Sequence, residues 1–391
     1  MRIKRAAMVF MVASWGLATC ATTYYADNKA GNDANNGLSA EKAFRTLAAA
    51  TARLKPGDVL EISPGRIYYE SLNIVTSGTP EKPVTVRGHG AVISGLAPVP
   101  DNSWKDCGEG LWHSPNTFQH GALRPRVLDA AGRMISVVCG APKSVPPKKL
   151  KPGESIWNGE GIFLRLAAGQ TPVGMGLQGF YRATGVTINK QNYIVVEDIV
   201  AEHFANDGVN VHGCCHGLVF RNITTRWNGD DGFSIHEDVM ANVYGLTTHH
   251  NDFGIQDVNA SQSFFCGVNS FSNRMCGVDF HGGMRILRDA TVYDNGGGQI
   301  RVRAGKAGQL GFAATNPMCR TRAYIKNVKV SGGAGEALMV GAGTDACAME
   351  CSFSGTDVGL SVQGELHFLK STVEDCRTAN IQCAESGRLV K

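Results

Sequence analysis

Three aspartates and two histidines stand at recurring positions near the middle of the chain, and chemistry is most readily built from them. Asp207 precedes a glycine in Phe204-Ala205-Asn206-Asp207-Gly208, and Asp230 and Asp231 do so in Asn228-Gly229-Asp230-Asp231-Gly232. Calcium takes about six to eight oxygens, largely carboxylate and carbonyl, so carboxylates from two neighbouring turns can converge on one ion. The plainer alternative is that Asp and Asn before Gly merely suit tight turns, as Asn206, Asn251 and Asn295 would illustrate. His236 and His281 are candidate general bases because imidazole ionises near neutrality, although stacked histidines also form simple hydrogen-bonded ladders. Arg285, Arg288, Arg301 and Arg303 form a cluster in sequence suited to carboxylate or sulfate groups.

These residues fall on a repeat. Gly208, Gly232, Gly254 and Gly277 are 24, 22 and 23 residues apart, each opening a short strand. Such a period is the mark of a solenoid whose coils cannot stand alone. An earlier strand recurs in each coil (GLVFRNITT, NVYGLTT, FFCGVNSF, ILRDATVY, YIKNVKV). Strand alternation sends Val209/Val211, Phe233/Ile235, Val278/Phe280 and Ile300/Val302 inward. Asn210/His212, Ser234/His236, Gln256/Val258, Asp279/His281 and Gln299/Arg301 then point outward as polar columns. Asn210, His212, Gln256, Asp279, Arg285 and Arg303 are the expected substrate-contacting residues. Asp257 breaks the pattern by pointing inward.

The predicted fold is all-β, a single-stranded right-handed parallel β-helix with an N-terminal capping helix that starts at Ser39. Residues 1–20 read as a signal peptide, with Arg2, Lys4 and Arg5 before an apolar stretch; Cys20 offers a possible lipid anchor. Residues 21–95 are expected to form the cap and first coils, 96–185 an inserted β-rich lobe or long loops, and 186–391 the remaining coils. No later stretch is long and apolar enough for a transmembrane helix. A net charge of +4 without a dense Lys/Arg run gives no case for nucleic acid. The twelve cysteines show no zinc-motif spacing, and most are expected to be buried inside the solenoid. A secreted or cell-envelope monomer of bacterial type is the expectation.

The opening, through YYADNKAGNDANNG, AFRTLAAA, LKPGDVLEISPGRIYYE and SGTPEKPVTV, resembles pectate-lyase-like β-helix proteins, particularly the family nine polysaccharide lyases. The resemblance covers about a fifth of the chain. It implies a calcium ion held by Asp207, Asp230 and Asp231. Where the family carries a further aspartate this chain has Ser234, and the positions comparable to the family's catalytic lysine are Gln256 and Asp279. The segment Gly232-Phe-Ser-Ile-His-Glu237 also resembles a short signature of alginate C5-epimerases, with Ser234 in place of its catalytic aspartate.

The resemblance implies calcium-dependent β-elimination from an acidic, uronate-containing polysaccharide. That reaction needs the sugar carboxylate neutralised and a base for the C5 proton. With the lysine absent, His236 or His281 is the expected base and Arg301 a neutralising group. Two alternatives stand beside it: a glycoside hydrolase using Asp207, Asp230 and Asp231 as acid and base, and a glycan-binding β-helix without catalysis.

Overall fold

The computed structural model describes residues 21–115, 127–129, 132, 134–137, 146–157, 160–305 and 320–391. The leader expected at 1–20, with Cys20, lies outside them, as does part of the Pro-rich stretch near residue 145.

Short β-branched and aromatic runs separated by turns stack as parallel strands. Among the described residues, ten form one sheet that climbs from Leu72–Ile74 through Val209–His212, Asp231–Ile235, Phe253–Val258, Cys276–His281 and Ile300–Arg303 to Ala379–Cys383. A second sheet of fifteen strands wraps the rest of each coil. Its long members bend where a residue adopts positive φ, as at Asp198, Asn222 and Gly245. The result is a parallel β-helix. Its interior is filled as the alternation requires: Val209, Val211, Phe233, Ile235, Val278, Phe280, Ile300 and Val302 are fully buried.

The turn between the two sheets explains the asparagines. His203, Trp227, His250, Ser272 and Asp294 all take left-handed φ. In four of these coils a buried Asn follows: Asn228, Asn251, Asn273 and Asn295. Their side-chain amides donate upward, Asn228 to Asn251 at 3.0 Å, Asn251 to Asn273 at 3.2 Å and Asn273 to Asn295 at 2.9 Å. Gln299 ends the ladder by accepting from Asn295 at 2.8 Å. Gln299 is therefore fully buried and not on the outward column expected for it. Arg301 pairs with Asp279 in register and takes that place. Asn206 is not a rung either, because Phe204 occupies the ladder position and accepts nothing there.

Two further expectations change. The capping helix is Leu47–Thr51, and Thr46, not Ser39, caps it by accepting from the Ala49 N–H at 3.1 Å. Asp33 earns Thr46 this role by accepting from the Arg45 and Thr46 N–H groups, fixing the entry. Of the described cysteines, only Cys215, Cys276 and Cys351 are buried; the rest reach the surface at least partly, and all are unpaired. No helix among the described residues is long and apolar enough to cross a membrane.

Between the early coils and the main stack lies an eight-stranded, largely antiparallel sheet running from Leu96–Pro98 to Gln178–Phe180. Its small core of Leu96, Val127, Leu164 and Phe180 includes Ala205 of the solenoid. The lobe is thereby seated two residues from Asp207.

Candidate metal and polysaccharide site

The ten-stranded sheet brings Asp207, Asp230 and Asp231 together: one carboxylate oxygen from each lies within 4.8 Å of the others. Register explains this. Val209 pairs with Phe233, so the residue two before each, Asp207 and Asp231, occupies the same place on adjacent coils. The Asp231 N–H donates to Asp207 Oδ1 at 3.1 Å, tying the two turns. Asn206 donates to Asp207 Oδ2 at 2.9 Å, and Asn210 donates to the same oxygen.

Asp207 and Asp231 are almost wholly buried, while Asp230 is half-buried at the rim. Burial, reinforced by the Asp230 charge, pushes the Asp207 carboxyl up to about 7. Burial, with Asp207 and Asp230 beside it, pushes Asp231 well above the ordinary carboxylate range. Ser234 donates to Asp231 Oδ2 at 2.7 Å, but Asp231 Oδ1 is buried with no hydrogen-bond partner, as is Asn206 Oδ1. Unpaired buried oxygens and mutually repelling carboxylates are what a hard cation would satisfy. The donor set fits calcium.

Ser234 also contacts His236 Nε2 at 2.9 Å, extending the chain Asp231–Ser234–His236. His236 stacks on His212 of the coil below, with ring centroids 4.3 Å apart. Burial and the neighbouring His212 lower the His236 imidazole to about 4, so it is neutral near pH 7.

The other expected residues are not all gathered here. His281 is two coils from His236, roughly 10 Å along the axis. Its Nε2 lies 3.0 Å from Asp279, which Arg303 also clamps with Nε at 3.0 Å. Burial would raise Asp279, but His281 and Arg303 outweigh it and hold the carboxyl below its ordinary range. Asp279 is fully buried, so it is a structural anion and not a substrate contact as expected. Arg301, three coils above Ser234, lies roughly 14 Å away and faces Glu336 at 3.8 Å. Gln256 stands between them, half-buried, in register with Ser234 and Asp279.

Arg285 overturns its expectation outright. It lies in the second sheet, fully buried, with Nε 2.8 Å from Asp257 Oδ2. Ser261 and Ser263 donate to the same carboxylate. The inward Asp257 and the arginine thus resolve each other, and the supposed surface cluster of four arginines does not exist. Arg288 pairs instead with Asp289 at 3.0 Å.

Two features escaped sequence reasoning. Arg274 makes a bidentate pair with Asp252, at 2.6 Å for both contacts, which neutralises the acidic column one coil above Asp230. His203 and Trp227 stack at 5.2 Å, and with Leu96, Leu128, Asp129, Gly132 and Gln178 they line a cavity of about 310 Å³ between lobe and solenoid. The signal was available: residues 203, 227 and 250 follow the same 24- and 23-residue spacing as the glycines.

Parallel coils with an acidic turn between sheets define a pectate-lyase-like parallel β-helix. Among solved structures the chain is similar to pectate lyase Pel9A, with a TM-score of 0.52 and 12% identity over 93% of this chain and 79% of that one. It is also similar to XylC, solved as a complex with xylose, with a TM-score of 0.50 and 12% identity over 90% of this chain and 70% of that one. At such identities the likeness is one of fold. A curated relative, the uncharacterized protein YwoF of Bacillus subtilis (strain 168), is 43% identical over 68 residues, spanning 17% of this chain and only 14% of that protein. No family model matches the chain.

Proposed function

We propose that this protein is an exported, monomeric lyase that cleaves an acidic polysaccharide by β-elimination with calcium at Asp207, Asp230 and Asp231. The carrying observation is the trio of converging carboxylates, with Asp231 Oδ1 buried and unpartnered. The similarity in fold to a pectate lyase supports the substrate class, and the leader-like residues 1–20 support export.

Asp207, Asp231 and Asp230 would hold the cation, which when bound supplies positive charge to neutralise a uronate carboxylate and stabilise the enolate-like state. The residues of the chain do the rest. Neutral His236, held by Ser234, accepts the C5 proton; the C5–H electron pair forms the C4=C5 double bond as the C4–O bond breaks. The departing oxygen takes a proton from water. The cavity beside Trp227 is large enough for a sugar unit, with the indole as a stacking face. Arg301 and Arg303, further along the axis, would contact distal carboxylates.

A hydrolase is less well supported. Inverting glycosidases hold their carboxyls about 6.5–9.5 Å apart to admit water, whereas these oxygens lie within 4.8 Å and two of the three residues are buried. The test is a panel of polygalacturonate, alginate and glycosaminoglycans, with calcium or with chelator. A lyase yields the ultraviolet absorbance of the unsaturated uronate, dependent on calcium. Reducing ends without that absorbance would establish hydrolysis, and neither signal with any polymer would leave only binding.

A further inference from the structure

A second group of ligating side chains lies at the opposite end of the same strand. Val209–His212 leads through Gly213 into the long strand Cys214–Arg226. There Cys214, His216 and Asp238 bring a sulfur, an imidazole nitrogen and a carboxylate oxygen within 4.8 Å of one another. We propose that these residues form a binding site for a borderline divalent transition metal of the zinc class, separate from the acidic turn.

The backbone builds this grouping. Cys214 and Asp238 are partners in register on adjacent coils, so their side chains stack. Register then shifts between Cys215 and Leu218, an irregularity that inserts an extra residue on this coil. Gly217 absorbs it at φ +66°, a conformation that side chains rarely adopt. His216 is thereby kept on the same outer face as Cys214, while Cys215 turns inward and donates to the His212 carbonyl at 3.1 Å. Asn192 accepts from the His216 N–H at 2.7 Å, and the Tyr193 N–H donates to its carbonyl at 2.8 Å. The imidazole therefore stands on a fixed backbone.

The geometry suits a metal better than a nucleophile. Cys214 Sγ lies 3.0 Å from His216 Nε2 and 3.9 Å from Asp238 Oδ2. Tetrahedral zinc with sulfur at about 2.3 Å and nitrogen or oxygen near 2.0 Å separates such ligands by roughly 3.5 Å, between those two values. A thiol nucleophile would need the carboxylate on the far nitrogen of the imidazole to orient it, but here Asp238 faces the sulfur. Three protein ligands leave one tetrahedral position for water or an external group. The thiolate also separates this site from the all-oxygen acidic turn, since soft sulfur selects zinc-class metals over calcium.

The test is titration of metal-free, reduced protein with cobalt(II), whose thiolate complexes show a charge-transfer band in the near ultraviolet and visible bands of tetrahedral intensity. One equivalent is expected to produce both, zinc to displace them, and Cys214→Ser to abolish the thiolate band. His216→Ala and Asp238→Asn should each weaken binding at least tenfold, whereas Asp207→Asn/Asp231→Asn should leave the band unchanged. All three ligands reach the surface, and circular dichroism will show that the variants fold. A folded wild-type protein without the band, or a band that persists in Cys214→Ser, would overturn the proposal.

Discussion

Ser234 donates to Asp231 Oδ2 at 2.7 Å, and the other oxygen of that carboxylate is left buried and bare. The hydroxyl thus holds one half of Asp231 still while the other half faces Asp207 and Asp230. Removing it as Ser234→Ala should destabilise the metal-free protein by about 1 kcal/mol, the net worth of a hydrogen bond to a buried acceptor. Urea unfolding in chelator measures this. Ser234→Asp should instead tighten calcium and lower metal-free stability, because it adds charge to a crowded turn.

Calcium should raise the melting temperature of the wild-type protein and leave that of Asp207→Asn/Asp231→Asn unmoved. Calorimetry should show at least a tenfold loss of affinity when either aspartate is changed alone. Unaltered affinity in both single variants would remove these carboxylates from the ligand set.

The pH dependence has a definite sign. Asp207, raised to about 7 by burial and by Asp230, keeps its proton in the folded state at pH values where the unfolded chain has lost it. Stability from this group is therefore full below the ordinary carboxylate pKa of 3.8 and is lost as pH rises through about 7. In chelator, Asp207→Asn should flatten the decline over that window. With calcium present, binding should tighten as pH rises toward 7 and should release protons below it, which calorimetry in buffers of different ionisation enthalpy detects.

Trp227→Ala should weaken oligosaccharide binding by about tenfold, roughly the 1–1.5 kcal/mol of an aromatic contact, and leave calcium affinity alone. Tryptophan fluorescence during sugar titration checks it. Equal binding by both proteins would show that the cavity beside the lobe is not a subsite.

Arg285 offers a structural contrast. Arg285→Ala leaves Asp257 buried without its partner and should cost about 3–5 kcal/mol. Replacing both, as Arg285→Met/Asp257→Leu, should recover much of that loss. A sugar-binding defect without loss of stability would contradict the placement of this pair in the interior.

The solenoid was legible because a packed coil leaves a periodic trace. Glycines spaced 22–24 residues apart and alternating apolar residues already sort Val209, Phe233, Val278 and Ile300 to the inside. The acidic trio was legible for the same reason, since a repeat assigns residues to neighbouring coils without coordinates. Gln299 and Arg301 were misassigned because a local change in coil length shifts register by two, and a side-chain column depends on register alone. Arg285 and Asp279 were misread because charge suggests surface, whereas each had a buried partner from another coil.

What the sequence determined by itself, then, is the stack and the turn on which Asp207, Asp230 and Asp231 stand, because both follow from periodicity along the chain. Only the tertiary structure decided that Asp231 Oδ1 is left bare, that Ser234 links it to His236, and that Arg274 closes the acidic column at Asp252. Those outcomes depend on side-chain rotamers and burial across coils, where differences of an ångström separate an ion pair from a ligand and no spacing in the sequence records them.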